Sequence, residues 1–370
     1  MATGLPLARF FWSLGRQMAT VAASLWVDQR TWKLSPQRFP TNSGLSIPSA
    51  ANATLAELLL ETGIALSPVR SIFAPSAWYA VFRYSEAFAA RSGKLRLVAS
   101  AQDWESRLTA MLAEELGVGV AIHLARQFLG VVHIADIEPL IRAGEMGFMV
   151  PPVSSRHPEA RPDYLGVLGN GECIVFEAKG VVGTASKLSE PLKKAEIQVD
   201  NIQFLKHRPR CVQGIPCADR IVIGTHFCID GTHKNSETTT FLVDPPAPEH
   251  PVPEGPGSDL PLRVAYAKVF NFGDAPLIAD ALLTRRDTIG VADLPGTQVG
   301  NWALRVIGPF LWGGFLVVDA ELAAILDRGA REDLRAAVAE RTARIGEELR
   351  GRELPPDFLM LNNGIGILRR

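Results

Sequence analysis

Apolar residues change their spacing several times along the chain, and each change marks a different element. From Trp104 to Leu129 the positions Leu108, Met111, Leu112, Leu116, Ile122 and Phe128 are spaced as the apolar faces of a helix. Gly117 and Gly119 fall inside that stretch, so the helix is either tightly packed there or broken in two. Tyr164–Leu168 and Cys173–Lys179 are short apolar runs on either side of Gly169-Asn170-Gly171. Asn-Gly between two such runs predicts a β-hairpin. A helix is expected over Ser189–Leu205, with Ser189 as N-cap and Pro191 in the first turn. Its apolar stripe is Leu192, Ala195, Val199 and Ile202. Arg220–Phe227, rich in Ile and Val, reads as another strand.

The remaining stretches carry weaker patterns. Residues 1–100 mix aromatic-rich segments with Pro/Ser/Gly breaks such as Ser46–Asn52, and no internal repeat is visible. Pro245–Pro261 holds seven prolines with Gly255 and Gly257, the composition of an extended linker. Residues 263–318 read as mixed α/β. Asp319–Leu349 has balanced charge at helical period and predicts a solvated amphipathic helix. Phe358–Leu368 predicts a strand pair turning at Asn362-Asn363-Gly364. The expected division is an accessory region 1–100, a core 101–243, a linker 244–262 and a C-terminal α/β region 263–370.

Composition narrows the class. Of 370 residues 47% are hydrophobic and 21% charged, which excludes a disordered chain. Lys and Arg number 38 against 39 Asp and Glu, so the chain is not a uniformly basic nucleic-acid coat. That balance hides a local one. Lys179–Arg220 contains 8 Lys/Arg and 4 Asp/Glu, whereas Asp244–Leu260 contains 4 Asp/Glu and no Lys or Arg. The longest strongly apolar uncharged run, Val306–Val318, has 13 residues, short of the roughly 20 that span a bilayer. Arg9 and Arg16 interrupt the apolar N-terminus, which argues against a secretory signal. Four cysteines are too few for a disulfide framework. A cytoplasmic protein without a membrane segment is the expectation.

The chemistry concentrates in Arg161–Gly180. On a strand, residues two apart share a face, so Glu177 and Lys179 point one way and Phe176 and Ala178 the other. The hairpin brings Asp163 towards Glu177. Two carboxylates and one ammonium on an apolar strand survive only when paired or bound to a metal. Mg²⁺ takes oxygen ligands, typically one or two carboxylates with waters and a substrate phosphate. Asp163, Glu177 and the backbone carbonyl of Ala178 are the candidate ligands, with Mn²⁺ as a possible substitute. Lys179 is then placed to orient an attacking water and offset charge developing on a phosphate. The competing reading is an ordinary exposed strand whose Glu177 and Lys179 form a cross-strand pair.

Pro162-Asp163 followed by Glu177-Ala178-Lys179, on a hairpin with a helix and a strand after it, resembles the PD-(D/E)xK nuclease superfamily. The resemblance covers about 130 residues, roughly 105 to 235. It implies a restriction-endonuclease-like core, a mixed sheet flanked by helices, with further α/β regions at both ends. It also implies a Mg²⁺-dependent nuclease acting on DNA, with RNA as the alternative, and a setting in restriction or phage defence. Many members place another acidic residue on the preceding helix; here that is Glu114, with Glu115 as the alternative. The expected catalytic set is Asp163, Glu177, Lys179 and Glu114. Cutting both strands is simplest with two active sites, so a homodimer is expected, or else a partner subunit of a defence complex. A catalytically inactive subunit that binds nucleic acid or assembles a complex is the other reading.

Around this motif lie candidate phosphate contacts: Lys187, Lys193, Lys194, Gln198, Lys206, Arg208 and Arg210. Some branches of the superfamily carry a Tyr four residues after a Gln on this helix, but after Gln198 that position is Ile202. His207, Cys211, Cys217, His226 and Cys228 suggest zinc, yet five residues separate Cys211 from Cys217 where zinc pairs use two to four. Buried, inert cysteines are the preferred reading. No phosphate-binding P-loop, G-x-S-x-G elbow or H-E-x-x-H pair occurs.

Overall fold

In a computed structural model of the chain, the residues described are 21–25, 50–70, 87–91, 94–144, 146–148, 161–200, 202–204, 217–232, 238–243, 258–286, 289–310, 314–328, 334–350 and 352–369. In chain order the first strands are β1 (Val21–Leu25), β2 (Ala50–Ala53), β3 (Phe88–Arg91), β4 (Lys94–Leu97), β5 (Val131–Asp136) and β6 (Met146–Phe148). β7 (Tyr164–Leu168), β8 (Cys173–Val182), β9 (Ile202–Phe204), β10 (Cys217–Phe227) and β11 (Thr239–Val243) follow. The last are β12 (Gly296–Val299), β13 (Trp302–Phe310), β14 (Gly314–Asp319), β15 (Phe358–Met360) and β16 (Ile365–Arg369). The helices are α1 (Leu55–Leu66), α2 (Ser106–Leu129), α3 (Ile137–Arg142), α4 (Ser189–Asp200), α5 (Leu260–Phe272), α6 (Pro276–Thr284), α7 (Ala320–Asp327) and α8 (Leu334–Leu349).

The architecture is mixed α/β. The main sheet runs β3-β4-β1-β11-β10-β8-β7-β5, with β2 beside β1. β7 and β8 are antiparallel, closed by a turn in which Gly171 takes φ +85°, a conformation glycine adopts without steric cost. α4 then returns the chain so that β10 lies parallel to β8. β8 therefore lies inside the sheet, between β7 and β10, and Cys173–Ala178 are buried. Leu192, Ala195 and Val199 of α4 are buried, as its spacing predicted. Ile202 is not part of that helix: α4 ends at Asp200, and Ile202 opens β9, opposite Phe148 of β6.

α2 is a single helix of 24 residues. Gly117 does not break it but lets it sit directly on β8. A Cβ at Gly117 would lie 2.8 Å from the Gly180 Cα, and one at Gly180 would lie 1.7 Å from the Ala113 carbonyl oxygen. By length and composition α2 is the one described helix apolar enough to cross a membrane. Of its most apolar window, 67% is buried inside the protein.

The C-terminal region is built on the same core. α5 packs against β5 and carries twelve buried residues, among them Tyr266, Phe270 and Phe272. It begins at Leu260, so the last residues of the proline-rich stretch belong to it, while residues 244–257 lie outside the described residues. The second sheet, β12-β13-β14-β16-β15, is antiparallel throughout. Of the apolar run Val306–Val318, Val306–Phe310 lies in β13 and Gly314–Val318 in β14, and Gly364 turns β15 into β16 with φ +79°. The expected helix over Asp319–Leu349 is two helices. Asp319 ends β14, is 2% exposed and accepts from the Leu322 N–H to cap α7. Arg341 of α8, also buried, donates to both Asp319 oxygens at 2.8 and 2.7 Å. α8 is packed along one face by Leu334, Val338, Arg341, Thr342 and Ile345, as an amphipathic helix is.

Candidate active site

The β7–β8 register sets Tyr164 opposite Phe176, and their rings stack with centroids 5.3 Å apart. One step outward, Asp163 meets Glu177: the Asp163 backbone N–H donates to Glu177 Oε2 at 2.8 Å. Lys179, two residues along the same face of β8, donates to Glu177 Oε1. The three groups expected to converge do so. Glu177 is 0% exposed and Lys179 is 24% exposed at its side chain, while Asp163 opens to solvent. This is a carboxylate fixed inside the sheet, not the exposed pair of the competing reading.

Burial dominates the electrostatics. It pushes Glu177 up to about 8, reinforced by the negative charge of Asp163 and only partly opposed by Lys179. Asp163 keeps an exposed edge, yet it too is raised, chiefly because neighbouring protein removes part of the water around its carboxyl; Lys179 and a hydrogen bond from Glu177 oppose the shift, while Asp136 and Glu114 add to it. Two neighbouring carboxyls that both resist ionisation share their proton, here favouring Glu177.

Glu114 is exposed on α2, and its charge bears on Asp163. The glycine contact between α2 and β8 brings its turn of helix over Lys179, and both residues line one groove. Glu115 is half-buried and does not line it. Lys187 lines that groove too, donating to the Val182 carbonyl at 3.2 Å. Lys193 pairs with Glu190 at 2.8 Å on the same helix, and Lys194 is exposed. Gln198 has a structural partner: its amide donates to the Arg161 carbonyl at 2.9 Å and ties α4 to the approach to β7. Lys206, Arg208 and Arg210 lie outside the described residues, as do His207 and Cys211. Cys173 and Cys228 are buried, the latter with its sulfur 3.8 Å from His226 Nδ1.

Two residues near the site escaped the sequence reading. Asp136 ends β5 and lowers the tendency of Asp163 to ionise. Its own carboxylate pairs with Lys268 of α5, which is 3% exposed and lies 5.8 Å from the centre of the Tyr164 ring. An acidic residue at a strand end followed by Ile137-Glu138-Pro139 was a local signal. Lys268 is 132 residues away from Asp136, and nothing local announces such a pairing.

The donor chemistry suits a hard cation. Glu177 and Asp163 offer only oxygen, and in their ionised forms they carry one negative charge beyond the one that Lys179 offsets. Among the described residues no three or more His, Cys, Asp or Glu side chains are gathered as a ready-made metal cage. Two carboxylates completed by backbone carbonyl and water remain the available set, the arrangement Mg²⁺ favours. The fold and site thus define a mixed α/β protein with a buried carboxylate–lysine centre on its central sheet. The chain has no significant match among family models, curated proteins or solved structures.

Proposed function

We propose that the chain is a metal-dependent nuclease of the PD-(D/E)xK type, hydrolysing phosphodiester bonds in DNA, with restriction or phage defence as its setting. The observation that carries the reading is the convergence of Asp163, Glu177 and Lys179 at the antiparallel pair β7–β8. The order of elements supports it: a helix carrying Glu114, the hairpin, the helix α4, and β10 parallel to β8. Asp163 and Glu177, with the Ala178 carbonyl, would hold Mg²⁺ or Mn²⁺. When bound, such an ion polarises a phosphate and lowers the pKa of its water. Lys179 then has two tasks, orienting the attacking water and countering the charge that builds on the phosphate oxygens. Glu114 supplies a further acceptor at the rim.

The test is a panel of linear duplex DNA, single-stranded DNA and RNA incubated with Mg²⁺ or Mn²⁺, with and without EDTA. Cleavage that EDTA stops is expected. No cleavage under any metal, with nucleic-acid binding retained, would favour the second reading of an inactive nuclease-fold subunit. That reading draws on the closure of Lys179 onto Glu177 and the lack of a ready-made cage among the described residues.

A further inference from the structure

Past Lys179 the groove continues along β8 towards Lys187 and Pro191, with Trp104 and Ala110 in its lining and a volume of about 510 Å³. That is the size of a small-molecule site, roughly 300–1,000 Å³. An unpaired nucleotide is a ligand of that size, whereas in a double helix the base faces are stacked on one another and closed to such a groove. Most of the lining is apolar, which suits the flat face of a base. Trp104 is half-buried, its position fixed by packing against the core. The cations in the lining are Lys179, held by Glu177, and exposed Lys187 on the adjoining turn, the type of group that contacts phosphate. An aromatic platform with flanking lysines is how proteins hold unpaired strands without reading their sequence. The groove shares Lys179 with the carboxylate–lysine centre, and Glu114 lines it beside that lysine.

We propose that this groove binds one unpaired nucleotide, its base stacked on Trp104 and its phosphate held by Lys187, so that the substrate is a single strand or an unpaired end. The inference rests on the nuclease reading and specifies its substrate class. Binding separates the two. Anisotropy of labelled oligodeoxyuridylate, oligouridylate and a blunt duplex of equal length is measured on the full chain in EDTA, where a metal-dependent nuclease is silent. Single strands should bind at least about 10-fold more tightly than duplex, and Trp104→Leu should lose about 10-fold on single strands while Trp104→Phe keeps most of the affinity. Lys187→Ala should weaken binding and flatten its salt dependence. The two oligonucleotides together report whether the sugar matters. Equal affinity for duplex overturns the proposal, as does unchanged single-strand binding by folded Trp104→Leu. Should Trp104→Leu fail to fold, unchanged affinity and salt slope in Lys187→Ala overturn it instead. Strand binding through Trp104 without cleavage on adding metal keeps the groove and removes the nuclease reading; cleavage with no preference for unpaired strands does the reverse.

Discussion

Glu177 has both carboxyl oxygens engaged, one by the Asp163 N–H and one by Lys179, in a place with no access to water. Its raised pKa, about 8, ties stability to pH. Above the ordinary carboxylate range of about 4.3 the unfolded chain has lost this proton, whereas the folded chain keeps it. The folded state binds more protons in that window, so its stability falls as pH rises from about 4.3 to about 8. In EDTA, thermal midpoints of the wild type should decline across this interval more steeply than those of Glu177→Gln. Parallel slopes would contradict the assignment. Mg²⁺ requires the ionised form, so its affinity should rise with pH, approaching about 10-fold per unit below 8, as titration calorimetry would read. Asp163, Glu177 and Lys179 were legible in the sequence because strand alternation and the Asn-Gly turn fix which side chains meet. Asp136 and Lys268 were not, since their pairing depends on how distant elements dock.

At the scale of elements the decisive contact is α2 on β8. Gly180→Ala would drive a methyl into the Ala113 carbonyl, so the helix must lift and carry Glu114 with it. Overpacking of this kind costs about 1–3 kcal/mol, measurable as a lower urea midpoint. Gly346, inside α8 with nothing within 4 Å of an added Cβ, is the counterpart. Gly346→Ala should stabilise by about 0.5–1 kcal/mol through helix propensity alone. The sequence left open whether α2 was packed or broken at its glycines, and only the partner strand decides that. α1 could have been read locally. Thr54 accepts from the Glu57 N–H at 3.1 Å and Glu57 accepts from the Thr54 N–H at 2.8 Å, a capping box written as Thr54-Leu55-Ala56-Glu57. The end of α4 had no comparable mark, because β9 exists only by pairing with β6.

At the scale of the molecule, the C-terminal region is joined to the site through Lys268. Its ammonium neutralises Asp136, whose charge bears on Asp163. Lys268→Met would leave Asp136 unpaired at the back of the centre. Breaking a buried ion pair costs about 3–5 kcal/mol, and because Asp136 is 27% exposed a loss of about 2–3 kcal/mol is expected by chemical denaturation. No loss would mean that water already serves Asp136. Composition could not reveal this union, because the proline-rich stretch separates in sequence what α5 and β5 join in space. The central claim concerns Lys179, the group with no structural duty beyond its contact with Glu177 that the described geometry records. Its most direct test is the rate of Mg²⁺-dependent DNA cleavage by Lys179→Ala against wild type, with circular dichroism verifying the fold. Metal-dependent cleavage in the wild type and a loss of at least about 100-fold in the folded variant is the predicted result. Undiminished cleavage by Lys179→Ala would contradict the account.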